Sequence, residues 1–293
     1  MAIYGLNGDS VIAVYGVNEN EIDHAYDIDG NRIYSNYNPV LTLENNALMS
    51  SLGASVPITP QGFAIFGDYY FQFFTGDNKM RIFNKSTYAL VGEYSATDIK
   101  HANTMQFGAV VQDTGFPLLY VSEWGDSGTS DSKVIDVLKV SFIGYQKITS
   151  YMLPSSVGNF PSICFDWEDG KAYTVGYSDG TRDSEYMIIS CLGVGDLATP
   201  IYQYQVPYMG VLNAWKCYNG KLVFYGNSWD GPTLSVSFIN ISTHAVEQYS
   251  FVKTTNEEYE DCDVDGESLL LSNWVYVNDV LHYRIYSMEL PIN

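Results

Sequence analysis

The chain has 293 residues, with 14 Lys+Arg against 34 Asp+Glu, a formal net charge of -20, and 46% hydrophobic and 15% aromatic residues, Tyr alone numbering 25. So many apolar residues supply a sizeable core and exclude a disordered chain, while the acid excess and the scattered Lys and Arg exclude sequence-independent binding to nucleic acid. No run reaches the roughly 18 apolar residues of a membrane-spanning helix, and Met1 to Asp9 show neither the basic nor the apolar region of an export signal.

Residues 1–45 follow an 11-residue step. Tyr4-Gly5-Leu6-Asn7, Tyr15-Gly16-Val17-Asn18, Tyr26-Asp27-Ile28-Asp29 and the degraded Tyr37-Asn38-Pro39-Val40 each read as a short strand and a turn, with Asn7-Gly8 and Asp29-Gly30 the clearest turns. A few such units bury little surface alone. The segment is therefore expected to pack on the rest of the chain, on copies of itself or on another protein, with Tyr4, Tyr15 and Tyr26 as its docking side chains; a partly ordered leader is the bland alternative.

From residue 46 onward the period changes to about 50. A turn precedes an apolar run at Asp68, Pro117, Gly170, Gly220 and Gly266. Apolar residues alternate or run in fours to sixes and are broken by Asp-Gly or Asn-Gly before any helical period develops, so the runs are strands. Each unit reads strand, turn, strand, loop, strand, turn, strand, which describes an all-β β-propeller of four-stranded blades, five by this count with six as the alternative. In the fourth unit the strands fall at 212–217, 222–227, 234–239 and 245–251. The fifth unit ends after its third strand, at 280–288, so a segment near 47–58 is expected to supply the missing edge and close the ring.

In a propeller the starts of first strands and the ends of second strands meet at one mouth of the central channel. Those positions hold Gln61, His101 with Asn103, Asn159, Asn213, and Glu260 with Asp261 at the starts, and Phe74, Glu123 with Trp124, Tyr177, Asn227 with Trp229, and Asn273 with Trp274 at the ends. Flat apolar faces beside planar hydrogen-bonding groups suit a sugar, which presents C–H patches and hydroxyls together. The glycan-binding set is accordingly His101, Asn103, Glu123, Trp124, Tyr177, Asn213, Trp229 and Trp274. Trp at such positions also serves as ordinary wedging between blades.

Hydrolysis of a glycoside needs two carboxyls facing each other, and Asp166 with one of Glu260, Asp261 or Asp263 is the available pairing. Three first strands open instead with amides or His, and amides bind without transferring protons. The expectation is a non-enzyme, with a glycoside hydrolase as the alternative. His24, His101, His244 and His282 form no close pair, so no metal or cofactor is expected. Only the acidic loops 126–131 and 179–183 suggest Ca²⁺. Cys164, Cys191, Cys217 and Cys262 are dispersed and read as small buried hydrophobes.

Gln61-Gly62-Phe63-Ala64-Ile65, His101-Ala102-Asn103-Thr104-Met105-Gln106-Phe107-Gly108 and Pro117 to Glu123 resemble propeller proteins of gut Bacteroidetes and their phages. Ala25 to Asn31 is similar to short modules at the start of gut-phage tail and fibre proteins. The resemblance implies a virion component of a phage tail or fibre, with the propeller facing host surface polysaccharide or another virion protein. It further implies docking of the N-terminal segment to other virion proteins and a homo-oligomer in the particle.

Overall fold

Short apolar runs punctuated by turns fold as strands throughout the computed structural model, which describes residues 13–18, 21–26, 32–35, 39–53, 58–123, 134–153, 162–177, 185–227, 232–253 and 257–291. Three short strands come first, β1 (Ala13–Asn18), β2 (Glu21–Tyr26) and β3 (Arg32–Ser35), joined as an antiparallel sheet in that order. Tyr15 lies in β1 and Tyr26 ends β2. Tyr4 and Tyr37 fall outside the described residues, as do the turns at Asn7-Gly8 and Asp29-Gly30.

Five four-stranded antiparallel sheets follow. Blade I is β5 (Thr59–Phe66), β6 (Tyr69–Thr75), β7 (Lys79–Asn84) and β8 (Leu90–Ser95), and blade II is β9 (Ala102–Val111), β10 (Pro117–Glu123), β11 (Val134–Ser141) and β12 (Gly144–Met152). Blade III is β13 (Ile163–Asp166), β14 (Lys171–Tyr177), β15 (Tyr186–Gly193) and β16 (Asp196–Pro207). Blade IV is β17 (Val211–Tyr218), β18 (Lys221–Asn227), β19 (Thr233–Asn240) and β20 (Val246–Val252). Blade V runs β21 (Glu257–Asp265), β22 (Ser268–Val277), β23 (Val280–Glu289) and then β4 (Thr42–Leu48), so the fold is a five-bladed β-propeller. Tight turns set the hairpins: Asn219 and Gly220, both at positive φ, join β17 to β18 in the conformation that two-residue hairpins require.

The ring is closed by β4, which pairs with β23 from His282↔Leu48 to Ser287↔Thr42. The expected segment, 47–58, overlaps this strand only at its end. Beyond Leu48 the chain turns through a short 3-10 helix at Met49–Leu52, whose Met49 and Leu52 enter the core between blades V and I. An outermost strand needs backbone pairing more than burial, so the largely polar run Thr42-Leu43-Glu44-Asn45-Asn46 serves as the closing edge.

Among the described residues the core consists of five apolar clusters, one for each contact between neighbouring blades. Phe71, Phe107 and Leu119 lie between I and II, Phe165 and Leu192 between II and III, and Tyr173 and Trp215 between III and IV. Tyr225 and Leu271 lie between IV and V, and Phe63, Tyr70 and Tyr283 between V and I. Each sheet is apolar on both faces, which is why its inner strands read as nearly continuous hydrophobic runs. The described cysteines are all free, with Cys164, Cys191 and Cys262 buried and Cys217 partly so.

Candidate functional site

Four of the innermost strands break their pairing register at the same place. In β9 the pairs Ala102↔Glu123 and Thr104↔Ser122 leave Asn103 as an extra residue; in β17 the extra residue is Asn213, and in β21 it is Glu260. In β5 the step from Pro60↔Phe74 to Phe63↔Gln72 sets Gln61 and Gly62 against one partner residue. A bulge re-aims a side chain out of the pleat. Here the freed side chains link blades around the channel mouth: Asn213 Nδ2 donates to the Tyr259 carbonyl at 2.6 Å, and Asn103 Nδ2 approaches the Asn213 carbonyl at 3.5 Å.

Glu260 is the chemically distinct member of this ring. Its Oε1 accepts the indole N–H of Trp274 at 2.7 Å, and the Gln61 amide also reaches it. Burial pushes its carboxyl well above the ordinary carboxylate range, and the Glu258 charge adds to this, while the bonds from Trp274 and Gln61 pull the other way. Glu258 stands directly across the sheet from Trp274 and is itself raised by burial, against the pull of Lys253. Two carboxyls and an indole thus share one face of blade V at the mouth, all three partly exposed.

Below the mouth the axis is filled. Asp261 Oδ2 accepts the backbone N–H groups of Phe63 at 2.6 Å and Met105 at 3.0 Å, from blades I and II, and Asp263 Oδ2 accepts that of Ile65 at 2.7 Å. Gln106 brackets the backbone of Phe165 in blade III, its Oε1 accepting that N–H and its Nε2 donating to the carbonyl. The Lys216 ammonium donates to the Met105 carbonyl. The inward edges of the innermost strands carry N–H and C=O groups with no strand to pair with, and these side chains satisfy them. Burial raises Asp261 to about 7, opposed by Lys216 and by the amides it accepts from.

This placement corrects the expected catalytic pairing. Asp261 and Asp263 are 0% and 8% exposed and their oxygens are engaged by the backbone, so they close the ring rather than face a substrate. Asp166 ends β13 at the opposite end of the channel, where it accepts the Cys217 thiol. Cys217 lies four residues beyond Asn213, about 13 Å along a strand. Asp166 therefore cannot meet Glu260.

Of the expected glycan-binding residues, the structure brings Asn103, Asn213 and Trp274 to the mouth, with His101 partly exposed just before β9. Glu123 is turned inward at 9% exposure, its carboxyl against that of Asp136, because β10 ends under the connection to blade I. Tyr177 ends β14, but its side chain, like Trp124, Trp229 and the acidic loops 126–131 and 179–183, lies outside what the structure describes. Glu258, Lys216 and Gln106 were not anticipated. A lone Lys inside the buried strand Ala214-Trp215-Lys216-Cys217 was the available signal, since a buried ammonium demands a partner. Among the described residues no group of three or more His, Cys, Asp or Glu is arranged to hold a metal, and no helix is long and apolar enough to cross a membrane.

No protein-family model matches the chain, and no curated protein is significantly similar to it in sequence. Solved structures share the fold. A GH43 β-xylosidase/α-arabinofuranosidase from a compost microbial metagenome matches with TM-score 0.53 at 10% identity, covering 87% of this chain and 96% of that one. The aldose sugar dehydrogenase of Streptomyces coelicolor matches with TM-score 0.51 at 10% identity, over 86% and 98%. A tail fibre of a Staphylococcus aureus phage matches with TM-score 0.50 at 12% identity, over 85% of this chain and 52% of the fibre, so the propeller spans about half of that protein. At such identities the likeness is one of fold. Enzymes are prominent among these neighbours, so the expectation of a non-enzyme loses the support of the fold.

Proposed function

We propose that the bulge-lined mouth of the propeller is a carbohydrate-binding face that recognises bacterial surface polysaccharide, carried on a phage tail or fibre. The observation that carries this reading is the ring of Asn103, Asn213 and Glu260, partly exposed at one register beside the Trp274 indole, with the buried Gln61 at the same register bonded to Glu260. Amides and a carboxyl fit sugar hydroxyls, and an indole fits a C–H face. The tail-fibre neighbour supports the virion setting at the level of fold. Docking of the N-terminal segment to other virion proteins, and a homo-oligomer in the particle, belong to the same proposal.

A second reading, hydrolysis at this same face, is favoured by one arrangement: Glu260 sits beside Glu258 on one face of blade V, and burial together with the Glu258 charge pushes its carboxyl well above the ordinary range, the direction a general acid requires. Both are tested by presenting purified protein to an array of bacterial surface polysaccharides and assaying each bound glycan for new reducing ends. Binding that falls at least tenfold in Trp274→Ala supports the face; binding that is unchanged in Trp274→Ala and Asn213→Ala removes it. Reducing ends released by the native protein and lost in Glu260→Gln, with binding retained, would establish hydrolysis.

A further inference from the structure

The Trp274 and Tyr276 rings, two residues apart on β22, meet edge to face at 90° with their centroids 5.9 Å apart, and Tyr276 is 46% exposed. Glu258 stands opposite Trp274 in the ladder, so the two side chains leave the same face of the sheet. Glu260 accepts the indole N–H. Two rings at a right angle, with two carboxyls beside them, make a corner in which π faces and oxygens all present negative potential. Positive charge is scarce around it. Lys253 is the cation that acts on Glu258, and it is 7% exposed with its Nζ on the Glu257 carbonyl at 3.0 Å. The donors to Glu260, Trp274 and Gln61, are both neutral. The neighbouring acids Glu257 and Asp261 have cations of their own, Arg284 at 3.9 Å and Lys216 at 4.0 Å. With both carboxyls ionised, the Glu258–Glu260 pair is therefore short of one positive charge.

We infer that the Trp274–Tyr276 corner, with Glu258 and Glu260, receives the protonated amine of an amino sugar, so that the face selects polysaccharides bearing free amino groups over their N-acetylated or uronic-acid counterparts. This rests on the carbohydrate-binding reading of the mouth and specifies its substrate class. An ammonium within about 6 Å of a ring centroid is attracted by the ring quadrupole, and here it also lets both carboxyls ionise side by side. Burial and the Glu258 charge push Glu260 well above the ordinary carboxylate range, which is the cost of the missing cation. An N-acetyl group is neutral and forgoes both attractions. A uronic acid meets two carboxyls and two π faces on a chain of net charge -20, and is repelled.

Isothermal titration calorimetry at pH 6 in 0.15 M salt, where distant charges are screened, tests this with tetrasaccharides of glucosamine, N-acetylglucosamine and galacturonate. The glucosamine oligomer should bind at least tenfold more tightly than either of the others. That advantage should be lost in Glu258→Gln and in Tyr276→Ala, and kept in Glu267→Gln, which removes an exposed acid at the other end of blade V. Equal affinity for the glucosamine and N-acetylglucosamine oligomers overturns the inference; if that common affinity disappears in Trp274→Ala the carbohydrate face itself stands, and if it survives the face falls as well. Failure of the glucosamine oligomer to bind also overturns the inference. So does a preference that persists in Glu258→Gln and Tyr276→Ala, since it then comes from net charge alone.

Discussion

The Lys216 ammonium and the Asp261 carboxylate stand 4.0 Å apart on the axis of the propeller, both essentially without exposure. Each also holds the backbone of a different blade, Lys216 the Met105 carbonyl and Asp261 the Phe63 and Met105 amides. The pair fastens blades IV and V to blades I and II, and its value lies in those bonds as much as in mutual attraction.

Asp261→Ala should therefore cost about 3 to 5 kcal/mol, since it removes the partner of one buried ammonium and of three buried amides, those of Phe63, Met105 and Cys262. Lys216→Met should cost far less below pH 7, where Asp261 takes up a proton, and progressively more above it. Urea unfolding at pH 6 and 8 measures both. Equal losses for the two substitutions at pH 6 would contradict the assignment.

Stability should fall as pH rises from 5 to 8.5. Asp261 at about 7, Glu123 at about 8 and Glu260 well above the ordinary range are all raised in the folded state. Such groups bind more protons folded than unfolded, so their contribution is fully present below about pH 4 and is lost as pH climbs through the folded values. The window avoids the lower range in which Asp113 and Asp196, both depressed, are protonated. A urea midpoint that is constant or rises over pH 5 to 8.5 would refute this.

Gly62→Ala should destabilise by about 1 to 3 kcal/mol. A Cβ there would meet Met105 Cγ at 2.4 Å and Ala102 Cβ at 3.1 Å, so blade I could not approach blade II. Gly195→Ala, whose Cβ would meet nothing within 4 Å, is the control and should leave the melting temperature within a degree or two.

Removal of residues 1–38 should leave the cooperative melting of the propeller intact, whereas removal of 1–48 should abolish it or lower the midpoint by 10 °C or more, on the order of 4 °C per kcal/mol lost. The second deletion strips β4 from β23 and exposes the edge of blade V. Differential scanning calorimetry of both proteins decides between these outcomes.

The strands were legible because turn residues and apolar runs are local signals: the spans read for the fourth unit differ from β17 to β20 by one residue at most ends. The closing strand was displaced toward residue 47 because outer-edge pairing leaves no apolar signature in a sequence. At the mouth, Asn103, Asn213 and Trp274 followed from strand polarity alone. The reassignment of Asp261 and Asp263 did not, because a carboxylate that answers an amide of another blade looks, in sequence, like one that waits for a substrate. Glu123 misled for a related reason: the end of a strand fixes where a residue begins, whereas its orientation came from Asp136, 13 positions later on the next strand.

The ladder between β4 and β23 is also the point through which tension must pass. Whatever grips the chain ahead of Thr42 pulls on a strand whose partner begins more than 200 residues later, so load is delivered straight into the closure of the ring. Thr42 pairs with Ser287 at one end of the ladder, and a force applied there peels the pairs in turn from that end. A load arriving from that side would thus enter the ring at blade V, ahead of the four blades whose strands are contiguous in sequence.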